Sequence, residues 1–119
     1  MSDVDFNRLP LLDDEIIAEL REVMEDEFTD LLRNFLNDLS AQLARLQDAV
    51  ERGDLDQLYH VAHKFKSSCG SIGALRLAEL IQRLEQAGRE RRPDDVGVQL
   101  RQARTVAAET TPGLRALLG

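Results

Sequence analysis

Leu58-Tyr59-His60-Val61-Ala62-His63-Lys64-Phe65-Lys66-Ser67-Ser68-Cys69-Gly70-Ser71-Ile72-Gly73-Ala74 is the stretch that decides how this chain folds. Leu58, Ala62, Phe65, Cys69 and Ile72 recur at intervals of three and four. At 100° per residue they fall within about 40° of one direction, which makes them the inward stripe of a helix. Asp54 opens that helix, because its carboxylate can accept from first-turn amides while Gln57 sits three residues on, a capping-box arrangement. Gly70, Ser71 and Gly73 weaken it, and a fresh amphipathic pattern resumes through Ala74, Leu77, Ile81 and Leu84 to about Glu90. Two helices joined by so short a connection fold back on each other as a tight antiparallel hairpin.

The same periodicity extends in both directions, with no sustained strand-like alternation. Upstream, Phe28, Leu32, Phe35, Leu39, Leu43, Leu46 and Val50 mark one face of a long helix from about Asp26 to Arg52, stopped by Gly53. Before it, Leu12-Asp13-Asp14-Glu15 reads as a capped start, an apolar residue before an acidic cap, for a short helix carrying Ile16, Ile17 and Leu20 to about Met24. Downstream, Pro93 stops the second arm of the hairpin, and Asp94 or Asp95 can cap a last helix with Val96, Leu100, Ala103, Val106 and Ala107. Thr111-Pro112 then predicts a kink or break before a final turn holding Leu114, Leu117 and Leu118. The expected fold is all-α: an antiparallel up-down four-helix bundle with a short additional N-terminal helix, one domain over residues 1–119, with 1–12 flexible.

Composition narrows the function classes. A single cysteine, Cys69, cannot form an internal disulfide, and it lies on the buried stripe as an unreactive thiol. No apolar run approaches the ~20 residues of a membrane span, and Met1-Ser2-Asp3-Val4-Asp5 has no secretory pattern, so a cytoplasmic protein is expected. The net charge of -7 argues against nucleic-acid binding. Residues 1–30 carry eleven acids against two arginines, whereas His60 to Arg92 holds seven basic residues against three acids. Solvated helix faces are the commoner meaning of such patterns.

His63 lies about 140° from the apolar stripe and therefore projects from the solvent side of its helix. Tyr59 precedes it by one turn, Lys66 and Ser67 follow by one, and Gly70 by two. A neutral imidazole is nucleophilic near neutral pH and can accept a phosphoryl group as a reactive phosphoramidate. Such a site needs a cation for the phosphoryl oxygens, an acceptor that fixes the ring tautomer, and an open approach. Lys66 supplies the cation; Ser67 and Gly70 keep the approach open. Centring the hairpin between Gly70 and Ala74 puts Glu85 within roughly one turn of the level of His63. Glu85 sits at the edge of its own stripe, at least partly exposed, so its carboxylate either leans to His63 or pairs with Arg89 at i+4. Geometry alone leaves those two readings even.

The run from Ala62 to Ala74, followed by Leu84-Glu85, resembles the signature of histidine-containing phosphotransfer (Hpt) domains. That signature has an apolar residue two positions after the histidine, lysine at three, glycine at four, Gly-Ala at ten and eleven, and an amide or acid at twenty-two. His63, Phe65, Lys66, Ser68, Gly73, Ala74 and Glu85 match it, and Ser67 departs from it where glycine is usual. The resemblance implies that His63 is the phosphoryl acceptor, supported by Lys66, Ser67 and Glu85, with Tyr59, His60, Lys64 and Gly70 bordering the docking face. It implies receiver domains of a hybrid sensor kinase and of a response regulator as partners, with Mg²⁺ on the receiver and no cofactor on this chain.

Other functions lack their parts. No ATP-binding glycine-rich signature is present, so the chain is expected to receive phosphoryl groups and not to make them. A metal-binding bundle would need inward Glu-x-x-His pairs, and both histidines point outward. A helical adaptor without chemistry would show no labelling of His63 by a phosphorylated receiver. A monomer suffices, and neither nucleic acid nor membrane is expected.

Overall fold

Side chains and backbone close the helix ends where the sequence placed them. Asp13 Oδ1 accepts from the amides of Glu15 and Ile16 at 2.9 and 3.1 Å, which starts α1, Asp14–Met24. Gly53 takes the left-handed conformation at φ 67° and ends α2, Glu27–Arg52. Asp54 Oδ1 then accepts from Gln57 N at 3.0 Å and opens α3, Leu55–Ser71. Gly73, at φ 84°, turns the chain into α4, Leu75–Arg89, and α5 spans Val96–Leu117. Asp95 precedes α5, but its backbone is already near-helical and its carboxylate makes no cap hydrogen bond, so the expected acidic cap is absent there.

This computed structural model describes residues 5–119, and among them there are five α-helices, a 3-10 turn at Phe6–Arg8 and no strand. α2 packs on α3, α3 on α4, α4 on α5, and α5 returns to α2, while α1 lies on α2. The ring encloses an aliphatic core in which Leu32, Leu46, Leu58, Leu77, Leu80, Ile81, Leu84, Leu100 and Leu114 are fully buried. Phe35 of α2 and Phe65 of α3 stack at 6.2 Å between centroids. Burial of each such leucine contributes about 1.5–3 kcal/mol, and truncating one costs about 2–5 kcal/mol. Every residue of the predicted α3 stripe is buried, which leaves the opposite face of that helix, with His63, to the solvent.

Two expectations are corrected. Residues 5–12 are held down: Arg76 Nε donates to Leu9 O at 2.8 Å, Arg76 Nη2 to Asn7 O at 3.1 Å and Arg76 N to Pro10 O at 3.1 Å. Phe6, Leu11 and Leu12 pack against the core, and Asp13 N donates to Gly73 O at 2.8 Å. Residues 1–4 lie outside the described residues. The second correction concerns only the break allowed for at Pro112: α5 continues through it as one helix. Proline removes one helical donor, and Thr110 Oγ1 and Thr111 Oγ1 bond back to Val106 O and Ala107 O at 2.6 and 2.8 Å. Such back-bonding does not replace the missing amide bond and tends to bend a helix, so it is the fully buried Leu114 beyond the proline that holds the last turns on the core.

Candidate functional site

His63 rises from the outer face of α3 with its side chain 54% exposed. Across the hairpin, Glu85 of α4 is only 2% exposed and reaches it directly: His63 Nδ1 and Glu85 Oε2 are 2.6 Å apart. Lys66, one turn on, donates from Nζ to Glu85 Oε1 at 2.6 Å. Arg89, one turn further along α4, donates to Glu85 Oε2 at 3.3 Å. One buried carboxylate thus serves an imidazole and two cations. Burial pushes the Glu85 carboxyl up, but hydrogen bonds from Lys66 and His63, together with the charge of both, outweigh it and hold the group below the ordinary glutamate value.

An ionised carboxylate only accepts, so Nδ1 must be the donor of the 2.6 Å bond. In the neutral ring the proton therefore resides on Nδ1, and Nε2 keeps its lone pair. Tyr59 fixes the ring plane from the side, stacking on His63 at 5.7 Å and 18°. The Arg89 guanidinium in turn sits over Tyr59, 5.5 Å from its centroid. The approach is open: Ser67 and Ser68 are exposed, and a Cβ built on Gly70 would meet nothing within 4 Å. The arrangement offers one oriented nitrogen nucleophile beside two cations.

Residues 30–114 match the family model of the Hpt domain. The chain belongs to the Hpt-domain family. Its structure is also similar to the crystal structure of histidine-containing phosphotransfer protein B (HptB) from Pseudomonas aeruginosa PAO1, at a TM-score of 0.89 and 33% identity, covering 92% of this chain and 95% of that one. No curated protein sequence matches it.

Within this Hpt bundle, the structure brings His63, Lys66 and Glu85 together and corrects the exposure expected of Glu85, which is buried. Its pairing with His63 and its pairing with Arg89, set as alternatives in the sequence, coexist. Ser67 is exposed, makes no contact with that network and lines a groove with Leu31, Phe35 and Ile72. His60 is exposed, its ring edge-on to Tyr59 at 5.2 Å, and it lines a groove between α2 and α3 with Asp38, Gln42 and Arg45. Lys64 lines the same groove and, among the described residues, makes no ion pair.

Most arginines of the basic hairpin are already engaged. Arg76 is spent on the N-terminal segment, Arg83 on Glu79 and the Phe6 ring, Arg91 on Asp56 and Arg92 on Glu90. Cys69 is fully buried, and burial raises its thiol far beyond the reach of neutral pH despite an opposing backbone hydrogen bond. Sequence reasoning named Arg89 only as a competitor for Glu85. Its spacing of four from Glu85 and position opposite Tyr59 were the available signals. Gly88, which proves to lie against α3, went unremarked, although a glycine inside a helix asks for a packing reason.

Proposed function

We propose that this Hpt domain is a phosphoryl carrier: Nε2 of His63 accepts a phosphoryl group from one receiver domain and yields it to another, in a multistep two-component relay. The observation that carries the reading is the 2.6 Å bond from Nδ1 of a half-exposed ring to a buried, ionised Glu85. The Nε2 lone pair attacks the phosphorus of an aspartyl phosphate; the N–P bond forms, the P–O bond breaks, and the aspartate leaves as carboxylate. The proton stays on Nδ1. The ring becomes cationic in the product, and Glu85 stabilises that charge where it appears. Return transfer runs the same steps backwards.

Lys66 rests on Glu85 in the unloaded state and is the cation placed to turn toward the phosphoryl oxygens, while Arg89 stays to balance the carboxylate. Ser67 stands where the family usually has glycine and adds a hydroxyl at the rim. Receiver domains, one from a hybrid sensor kinase and one from a response regulator, would dock over Tyr59, His60, Lys64, Ser67 and Gly70. A groove with apolar lining from Leu31, Phe35 and Ile72 adjoins Ser67 and extends that face. The receivers would bring Mg²⁺ for the electrophile, and this chain would use no cofactor and have no autokinase activity.

The helix order, the ring of contacts and the antiparallel run of α3 against α4 support a single up-down four-helix module, and one exposed histidine site would let it work as a monomer. No described helix is long and apolar enough to cross a membrane. Together with the negative net charge this supports a cytoplasmic carrier that binds neither membrane nor nucleic acid. The test is two-step transfer: a phosphorylated receiver is mixed with the protein, label is followed onto it, and a second receiver is added. Acid-labile, base-stable label that moves on to the second receiver supports the proposal. Failure of every cognate receiver in a genome-wide set to label the protein overturns it.

A further inference from the structure

Gly88 sits one turn beyond Glu85 on α4 and presses on the backbone of α3. A Cβ there would lie 2.9 Å from Leu55 O, 3.0 Å from Tyr59 N and 3.2 Å from Tyr59 Cα. All three are main-chain atoms inside a helix, so no flexible side chain can swing aside. Ordinary carbon contacts begin near 3.5 Å, so any residue but glycine drives the two helices apart by roughly 0.5 Å at this point. Tyr59 is one turn before His63 and Glu85 is one turn before Gly88, which places the pressure point one turn from the His63–Glu85 bond on both helices.

We propose that Gly88 is a positioning residue: its missing side chain sets the α3–α4 spacing that holds Glu85 on Nδ1 of His63 and keeps Tyr59 against the ring. The 2.6 Å bond is at the short end for a charge-assisted contact. Adding about 0.5 Å takes it to the limit of a good hydrogen bond. With the bond loosened, the ring samples both tautomers and Nε2 is no longer always the free nitrogen. The Gly88 contact also explains why a glycine occupies the last turn of α4, where propensity favours alanine.

This inference rests on the proposed function only for its effect on transfer; its structural half is tested without phosphate. The experiment compares wild type, Gly88→Ala and, as a control in a roomy helical site, Gly97→Ala, whose Cβ would meet nothing closer than Arg101 Nη1 at 3.9 Å. Imidazole ¹⁵N shifts of unphosphorylated protein read the tautomer. The expected result is one pyrrole-like and one pyridine-like nitrogen in wild type and Gly97→Ala, and two shifts drawn together in Gly88→Ala. Transfer from a receiver should slow about tenfold in Gly88→Ala, since misplacement by 1 Å can cost ~100-fold.

If Gly88→Ala does not fold, Glu85→Asp withdraws the carboxylate by one methylene without touching the spacing and should mix the tautomers in the same way. A single tautomer retained in Gly88→Ala, or in Glu85→Asp when that variant stands in, overturns the proposal. A wild type that is never labelled by receivers while the Gly88→Ala shifts still converge sinks the carrier reading alone.

Discussion

Replacing Glu85 with alanine removes the group on which His63, Lys66 and Arg89 converge. The carboxylate is 2% exposed and its two shortest contacts are each 2.6 Å. A charge-assisted hydrogen bond contributes about 1.5–3 kcal/mol, and each 1.36 kcal/mol is a factor of ten in rate. If orientation of the ring uses one such bond, Glu85→Ala should slow phosphoryl acceptance by about 10- to 100-fold. Folding should suffer less. The ammonium of Lys66 and the imidazole are 30% and 54% exposed and can turn to water when the carboxylate is gone. The cost should therefore be about 1–2 kcal/mol, short of the roughly 3–5 kcal/mol for breaking a wholly buried pair. Glu85→Gln should keep an acceptor oxygen for Nδ1 and lose only a few-fold in rate. Rapid-quench transfer from a phosphorylated receiver gives the rates, and urea unfolding gives the stabilities. Glu85→Ala transferring within about twofold of wild type would refute the orientation argument.

Two further outcomes follow from the same geometry. Ser67→Arg, at an exposed position, should change stability by no more than about 0.5 kcal/mol, yet it should sharply slow transfer from a cognate receiver while phosphoramidate still labels His63; equal receiver rates would show that docking does not cross this face. The lowered Glu85 titration gives a pH dependence: the unfolded chain takes up this proton first as pH falls, so the contribution is complete above the ordinary carboxylate value and lost through the folded one. The urea midpoint of wild type should fall relative to Glu85→Gln as pH drops below about 4.3, and a constant difference between the two would contradict it.

The fold was legible where each helix speaks for itself. The α3 stripe, the Asp54 and Asp13 caps and the stop at Gly53 are local, and side chains within four residues decide them. The outward direction of His63 and its spacing to Lys66 were legible for the same reason. What escaped depends on distant segments. Glu85 lies at the edge of the stripe of α4, and the packing of α3 against α4 buries it. The sequence also could not show that arginines of the basic stretch are engaged by distant segments, Arg76 by Asn7 O and Leu9 O and Arg91 by Asp56 of α3. Pro112 reads as a breaker by propensity, but α5 runs on through it and Leu114 beyond it is buried in the core.

The proposed carrier chemistry turns on which nitrogen of which histidine carries the phosphoryl group. Glu85 occupies Nδ1 of His63, so the proposed function expects the group on Nε2. Phosphorus–nitrogen coupling in uniformly ¹⁵N-labelled protein, phosphorylated by a receiver and held at alkaline pH, reads that bond directly. The expected spectrum has a single phosphorus coupled to Nε2 of His63, and no signal from His63→Gln treated identically. A phosphorus coupled to Nδ1, or label persisting on His60 or elsewhere in His63→Gln, would contradict the account.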